Sequence, residues 1–111
     1  MMEERFAVGS VEGTGAAINV ICGFKPRYVK IFNLDDAGSK VPYCEWFYGM
    51  TAGYGLKHLI GTTYTTPSVI TTGGISQYAG TDAQGSGQGF TIGTDGDLNV
   101  SAETIFWLAI R

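Results

Sequence analysis

The run Glu103-Thr-Ile-Phe-Trp-Leu-Ala-Ile-Arg111 constrains the fold more than any other part of the chain. Read as a strand, it puts Ile105, Trp107 and Ala109 on one face and Phe106, Leu108 and Ile110 on the other. Both faces are apolar. A strand in an isolated antiparallel sheet normally keeps one wet side, so this one needs cover twice. It closes a longer unit, Gly89 to Arg111. That unit begins with a short strand (Gly89–Gly93) and continues through a turn, Thr94–Asn99, that carries the hairpin signal Asp-Gly. An apolar, aromatic run of this kind belongs inside a sheet and not in a frayed tail.

Glycine decides the fold class. Seventeen glycines and three prolines interrupt the 111-residue chain. No stretch of helical length carries apolar residues at helical spacing without one of them, so long helices are not expected. Between them lie short β-branched and aromatic runs, bounded by Gly, Asp, Asn and Ser. The expectation is all-β: a small antiparallel β-sandwich of about 6–8 short strands with glycine-rich loops.

The chain divides into an N-terminal arm, 1–15, and a single β-sandwich domain, 16–111. Arg5–Val11 reads as a first short strand with Phe6 and Val8 on one face. The arm either packs on a neighbouring subunit or is half-ordered. Ala16–Cys22 reads as a strand buried on both sides, and Tyr28–Leu34 is again apolar on both faces. Pro42–Met50 is the most aromatic segment. Its alternation assigns Cys44, Trp46, Tyr48 and Met50 to the core, and Tyr43, Glu45 and Phe47 to an oligomer contact. Leu56–Gly61 is a short element of ambiguous type. Thr62–Thr66 is a Thr-rich connector before Pro67, and Ser68–Thr72 is a short strand. Gly73–Gly89, rich in glycine and poor in apolar residues, reads as a mobile surface loop or one ordered by a partner.

Charge narrows the functional classes. The apolar fraction is 44% and the charged fraction 15%, where about 25% charged is usual. So few charges leave little to cover the outside of a small domain, which points to surface facing other subunits. Net charge is −3, and only Lys25, Arg27 and Lys30 cluster in sequence, so nucleic-acid binding is not expected. No apolar run is long enough to span a membrane. The acidic, polar start MMEERFAVGS lacks a signal-peptide pattern, so synthesis in the cytoplasm is expected.

Sites of chemistry are scarce. Cys22 and Cys44 read as buried thiols, with a disulfide open if their strands are adjacent. Two Cys and one His make a poor metal set. Asp35-Asp36 and Asp95/Asp97 sit in turns, where Asx-type hydrogen bonding explains them without an ion. His58 has no nucleophile motif around it, and a Cys44/His58/Asp triad has no support from spacing. The expectation is no enzyme, no catalytic residue, no cofactor and no metal. The residues that stand out are candidates for a subunit interface or the core: Tyr43, Phe47, Ile105, Phe106, Trp107 and Leu108.

Two motifs carry a resemblance. The run GFKPRYVKIFN and the terminal GFTIGTDGDLNVSAETIFWLAIR, with glycine-rich loops between, resemble small tailed-bacteriophage virion proteins. More distantly, their order is similar to the H-type lectin-like β-sandwich, a trimeric fold. The resemblance covers roughly Ala16–Leu34 and Gly89–Arg111 and implies fold and context more than activity. It implies a homotrimer located on the virion, most readily a capsid decoration (cement) protein that binds the major capsid protein or another virion protein. The N-terminal arm and Gly73–Gly89 would be its shell-facing segments. The alternative it implies is a tail fibre or tail-tip protein recognising a host glycan through the aromatic segment Tyr43–Tyr48. No sugar-binding residue carries over by motif.

Overall fold

The computed structural model describes residues 5–34, 40–61, 67–81 and 87–111. Its nine strands are β1 (Phe6–Glu12), β2 (Ile18–Ile21), β3 (Tyr28–Asn33), β4 (Lys40–Phe47), β5 (Gly55–Gly61), β6 (Ser68–Ile70), β7 (Ile75–Tyr78), β8 (Gly89–Ile92) and β9 (Thr104–Ile110). All pair antiparallel, and there is no helix among the described residues. Six strands form one sheet in the order β1-β9-β3-β4-β5-β6, and three form a second in the order β2-β8-β7.

The terminal run is an interior strand, as its composition requires. β9 pairs with β1 over seven residues, from Phe6↔Ile110 to Glu12↔Thr104, and with β3 on its other side. The β1 contact depends on Gly9, which lies opposite Trp107. A Cβ at Gly9 would come within 2.7 Å of the indole Cζ2, so only glycine lets the strand and the indole lie together.

Alternation then sorts the large sheet into two faces. Val29, Ile31, Cys44, Trp46, Ile105 and Ala109 point inward and are at most 3% exposed. They meet Val20, Ile75, Phe90 and Ile92 of the small sheet, with Phe90 edge-on to Trp107 at 5.4 Å. This is the core. The small sheet turns its other side to water, where Thr91 Oγ1 donates to Asn19 Oδ1 at 2.7 Å.

The turn after β8 anchors one end. Asp95 Oδ1 accepts from the amides of Asp97 and Leu98, which is the Asx-type bonding expected there. Lys57 Nζ, from the inward face of β5, lies 2.9 Å from Asp95 and 2.7 Å from Asp97. The ammonium stands where an ion would otherwise be drawn between these carboxylates. Asn99, 2% exposed, ties the same turn to the chain after β1. Its Oδ1 accepts from Thr14 and Gly15, and its Nδ2 donates to Ala16 and Gly93.

Several expectations need correcting. β2 is an edge strand of the small sheet with only Val20 buried and Ile21 half-exposed, so it is not buried on both sides. Tyr48 is 70% exposed, because β4 ends at Phe47 and the chain turns there, which breaks the alternation before it; Met50, beyond the turn, still packs against the core. Gly73–Gly89 is not one loop. It contains β7, whose Ile75 is fully buried between β8 and the core. Of the two thiols expected to be buried, Cys44 is buried and Cys22 only partly so, and both are free of a disulfide. The turn expected at Asp35-Asp36 and the Thr62–Thr66 connector lie outside the described residues.

Candidate functional site: the outer face of the large sheet

Register places the second face of the large sheet in transverse rows. Phe6, Ile110, Tyr28 and Phe47 lie side by side across β1, β9, β3 and β4. The next row runs Val8, Leu108, Lys30, Glu45, Leu56 and Val69. A third runs Ser10, Phe106, Phe32, Tyr43 and His58. Among the described residues no strand or loop covers these rows as the small sheet covers the inner face. Val8 is 65% exposed, Phe6 63%, Val69 59%, Phe47 47%, Ile110 41% and Phe106 39%.

The face is large for its fold. Six strands about 4.8 Å apart and about 20 Å long make roughly 500 Å². That footprint includes the polar side chains of Ser10, Lys30, Glu45 and His58, so its apolar part is smaller and within the range that soluble monomers expose. The β1 edge extends it. This seven-residue edge strand carries exposed Phe6 and Val8 and no proline. The opposite edge, β6, has three residues and follows Pro67, which is how an edge meant for water is usually blunted.

A polar strip crosses the middle of this surface. Tyr28 donates its hydroxyl hydrogen to Glu45 at 2.5 Å. Burial, then this hydrogen bond and the charge of Glu45, push the Tyr28 hydroxyl pKa far above its ordinary value. Tyr43 stacks flat on His58 with ring centres 4.3 Å apart, and Lys30 Nζ lies 4.7 Å from the Tyr43 ring. His58 Nε2 is buried with no hydrogen-bond partner among the described residues, and Glu45 Oε1 is 3.9 Å away. Phe32 and Phe106 stack beside the strip at 5.8 Å. The strip offers directional contacts within an otherwise apolar layer, the composition of an interface core with a few fixed polar groups.

The six candidate residues divide between the two faces. Tyr43, Phe47, Phe106 and Leu108 lie together on the outer face, while Ile105 and Trp107 point into the core. Phe6, Val8, Phe32 and Val69 complete the outer face. The strand pattern of Phe6 and Val8 was visible in sequence, but their alignment with Leu108 and Ile110 comes from the β1–β9 register. A Cys44/His58 pairing does not form. Adjacent positions on β4 face opposite ways, and His58 opposes Tyr43 on the outer side while Cys44 is inside. Burial, then the charge of Asp95, pushes the Cys44 thiol up to about 12, so it stays protonated at neutral pH. Among the described residues no group of three or more His, Cys, Asp or Glu is placed to hold a metal.

No family model, no curated protein and no solved structure matches the chain.

Proposed function

We propose that the chain is a virion structural protein. In this reading it is a capsid decoration protein that binds an assembled phage shell as a homotrimer and stabilises it. One observation carries the proposal: an apolar face of the six-stranded sheet, continuous with an unblunted edge strand, that nothing in the described fold covers. The sequence resemblance at Ala16–Leu34 and Gly89–Arg111 supplies the virion context.

Size favours a ring over a simple pair. Stable interfaces bury about 800 Å² per partner, and a sheet face of roughly 500 Å² falls short of that alone. In a cyclic trimer each subunit meets two neighbours, so the outer face and the β1 edge are both covered. The function then follows from mass action. A subunit that binds the assembled shell across its seams, and not the dissociated proteins, shifts the equilibrium toward the shell. Many copies achieve this without strong individual contacts. The shell-facing segments would be the N-terminal residues and the part of Gly73–Gly89 that follows β7.

One feature favours a second reading, glycan recognition at a tail tip. Tyr48 is 70% exposed and the Arg27 guanidinium lies 5.9 Å from its ring, a pair suited to stacking on a sugar. Labelling this chain in purified particles separates the two. Label spread over the head at high copy number supports decoration. Label restricted to a few copies at the tail would replace it with the receptor-binding reading, and absence from particles would overturn both.

A further inference from the structure

Hydrogen-bond parity decides which backbone groups an edge strand turns outward. In an antiparallel pair, alternate residues aim both N–H and C=O at the partner strand, and the residues between them aim both away. At the two ends of the β1–β9 pair, the Arg111 amide donates to the Arg5 carbonyl at 2.8 Å and the Gly13 amide to the Glu103 carbonyl at 2.7 Å. With the register between them, Ala7, Gly9 and Val11 therefore serve β9. Phe6, Val8, Ser10 and Glu12 aim outward, where no strand follows among the described residues. All four are exposed. β1 also lacks the proline, lysine or arginine that usually blunts an edge.

The same parity sorts the other edges. In the small sheet the Cys22 amide donates to the Gln88 carbonyl at 3.1 Å. Ile18 and Val20 therefore serve β8, while Asn19 and Ile21 aim outward, and both are exposed. The β7 edge is already taken at Ile75, which donates to the Tyr54 carbonyl and accepts from the Gly53 amide, both at 3.0 Å. β6 is short and follows Pro67. The two open edges, β1 and β2, share one flank. β7 packs near β4, and Phe90 of β8 lies against Trp107 of β9, so β2, beyond β8, falls on the β1 side.

We infer that β1 of one copy pairs with β2 of its neighbour, so that backbone hydrogen bonds join the subunits along this flank. The choice of partner edge rests on the proposed trimer; the openness of the two edges does not. Pairing β1 with β1 needs a two-fold axis and stops at two copies, whereas unlike edges can close a ring. The area fits a second copy. The seven-residue β1 edge, about 24 Å long and about 10 Å thick, covers roughly 240 Å². That supplies much of what the outer face lacks against the roughly 800 Å² per partner of a stable interface.

Amide hydrogen exchange at residue resolution tests this on the full chain, with Phe106→Asp as the single-chain reference. There the amides of Phe6, Val8, Ser10, Glu12, Asn19 and Ile21 should exchange fast, while β9 protects those of Ala7, Gly9 and Val11. In the assembled wild type all six fast amides should slow by at least about tenfold. Val8→Pro removes only an outward N–H, so it should keep the native circular-dichroism spectrum and weaken association about tenfold or more. In a sample mixed from differently labelled copies, magnetisation transfer between copies should join Val8 to β2. Six amides already slow in the reference, or transfer from β1 to β1, would overturn the inference. Assembly that leaves the six fast would also overturn it while leaving the trimer standing. Transfer between β1 and β2 in a particle of two copies would do the reverse. A wild-type chain that never associates would sink both.

Discussion

The two faces of the six-stranded sheet are built alike and end differently. Both carry large apolar side chains from β9, β3 and β4. Ile105 and Phe106 are consecutive residues of one strand. The first is 0% exposed beneath the small sheet and the second 39% exposed on the uncovered side. The small sheet's outer side is mixed: Asn19, Ser76 and Thr91 alternate with Ile21, which is 54% exposed, and Tyr78. The outer face of the large sheet carries more exposed large apolar side chains, among them Phe6, Val8, Phe47, Val69, Phe106 and Ile110. On the proposed function, folding covers one face and assembly the other.

Paired substitutions on β9 test this most severely. Ile105→Asp buries a charge without a partner, which costs several kcal/mol out of a total stability of about 5–15 kcal/mol, and should unfold the subunit. Phe106→Asp, one residue along, should leave the circular-dichroism spectrum native and release monomers. Equal unfolding by both variants would break the distinction between the faces.

The inner side also holds the Lys57 ion pairs, and here the effect is next in size. Lys57→Ala leaves Asp95 and Asp97 without their cation and should cost about 3 kcal/mol in denaturant unfolding. The Phe106→Asp background keeps that measurement free of assembly.

Alkaline titration sharpens the comparison further. The Cys44 thiol is pushed up to about 12 and the Tyr28 hydroxyl is raised. Burial alone would lower the Lys57 pKa, but its hydrogen bonds to Asp97 and Asp95 outweigh that and raise it. All three groups hold their protons more tightly folded than unfolded. Their stabilisation is therefore complete below the ordinary thiol value of 9.0 and is lost as pH rises above it. Melting temperature should fall from about pH 9 upward, and Cys44→Ala should flatten the first part of the fall.

Two smaller effects complete the series. Val8→Thr on the outer face should change monomer stability by less than about 0.5 kcal/mol while weakening association measurably. Ala102 adopts φ 67° in the turn before β9, a conformation natural to glycine. Ala102→Gly should be neutral to stabilising, by up to about 1 kcal/mol, with no effect on association.

How much of this was legible beforehand depends on the range of the interaction. The two-faced character of β9 and β3 and the Asx turn at Asp95 are local patterns, and each is found where its residues place it. Strand β7 was hidden because Ile75 is the sole aliphatic side chain in a four-residue strand flanked by glycines. Tyr48 was misplaced because alternation says nothing about where a strand stops. The Lys57–Asp95 contact spans 38 residues, and Arg5 meets Arg111 through strand pairing. Neither leaves a local trace. Which side of β9 receives a cover is likewise decided by the small sheet, assembled from segments on both sides of β3–β6.

Sedimentation equilibrium of the wild-type chain over a wide dilution range tests the central claim most directly, with Phe106→Asp as its partner sample. The account predicts a wild-type mass near three times the 11.8 kDa of one chain, and a folded species of single-chain mass for the variant. A wild-type protein that remains a folded monomer at every concentration would contradict it.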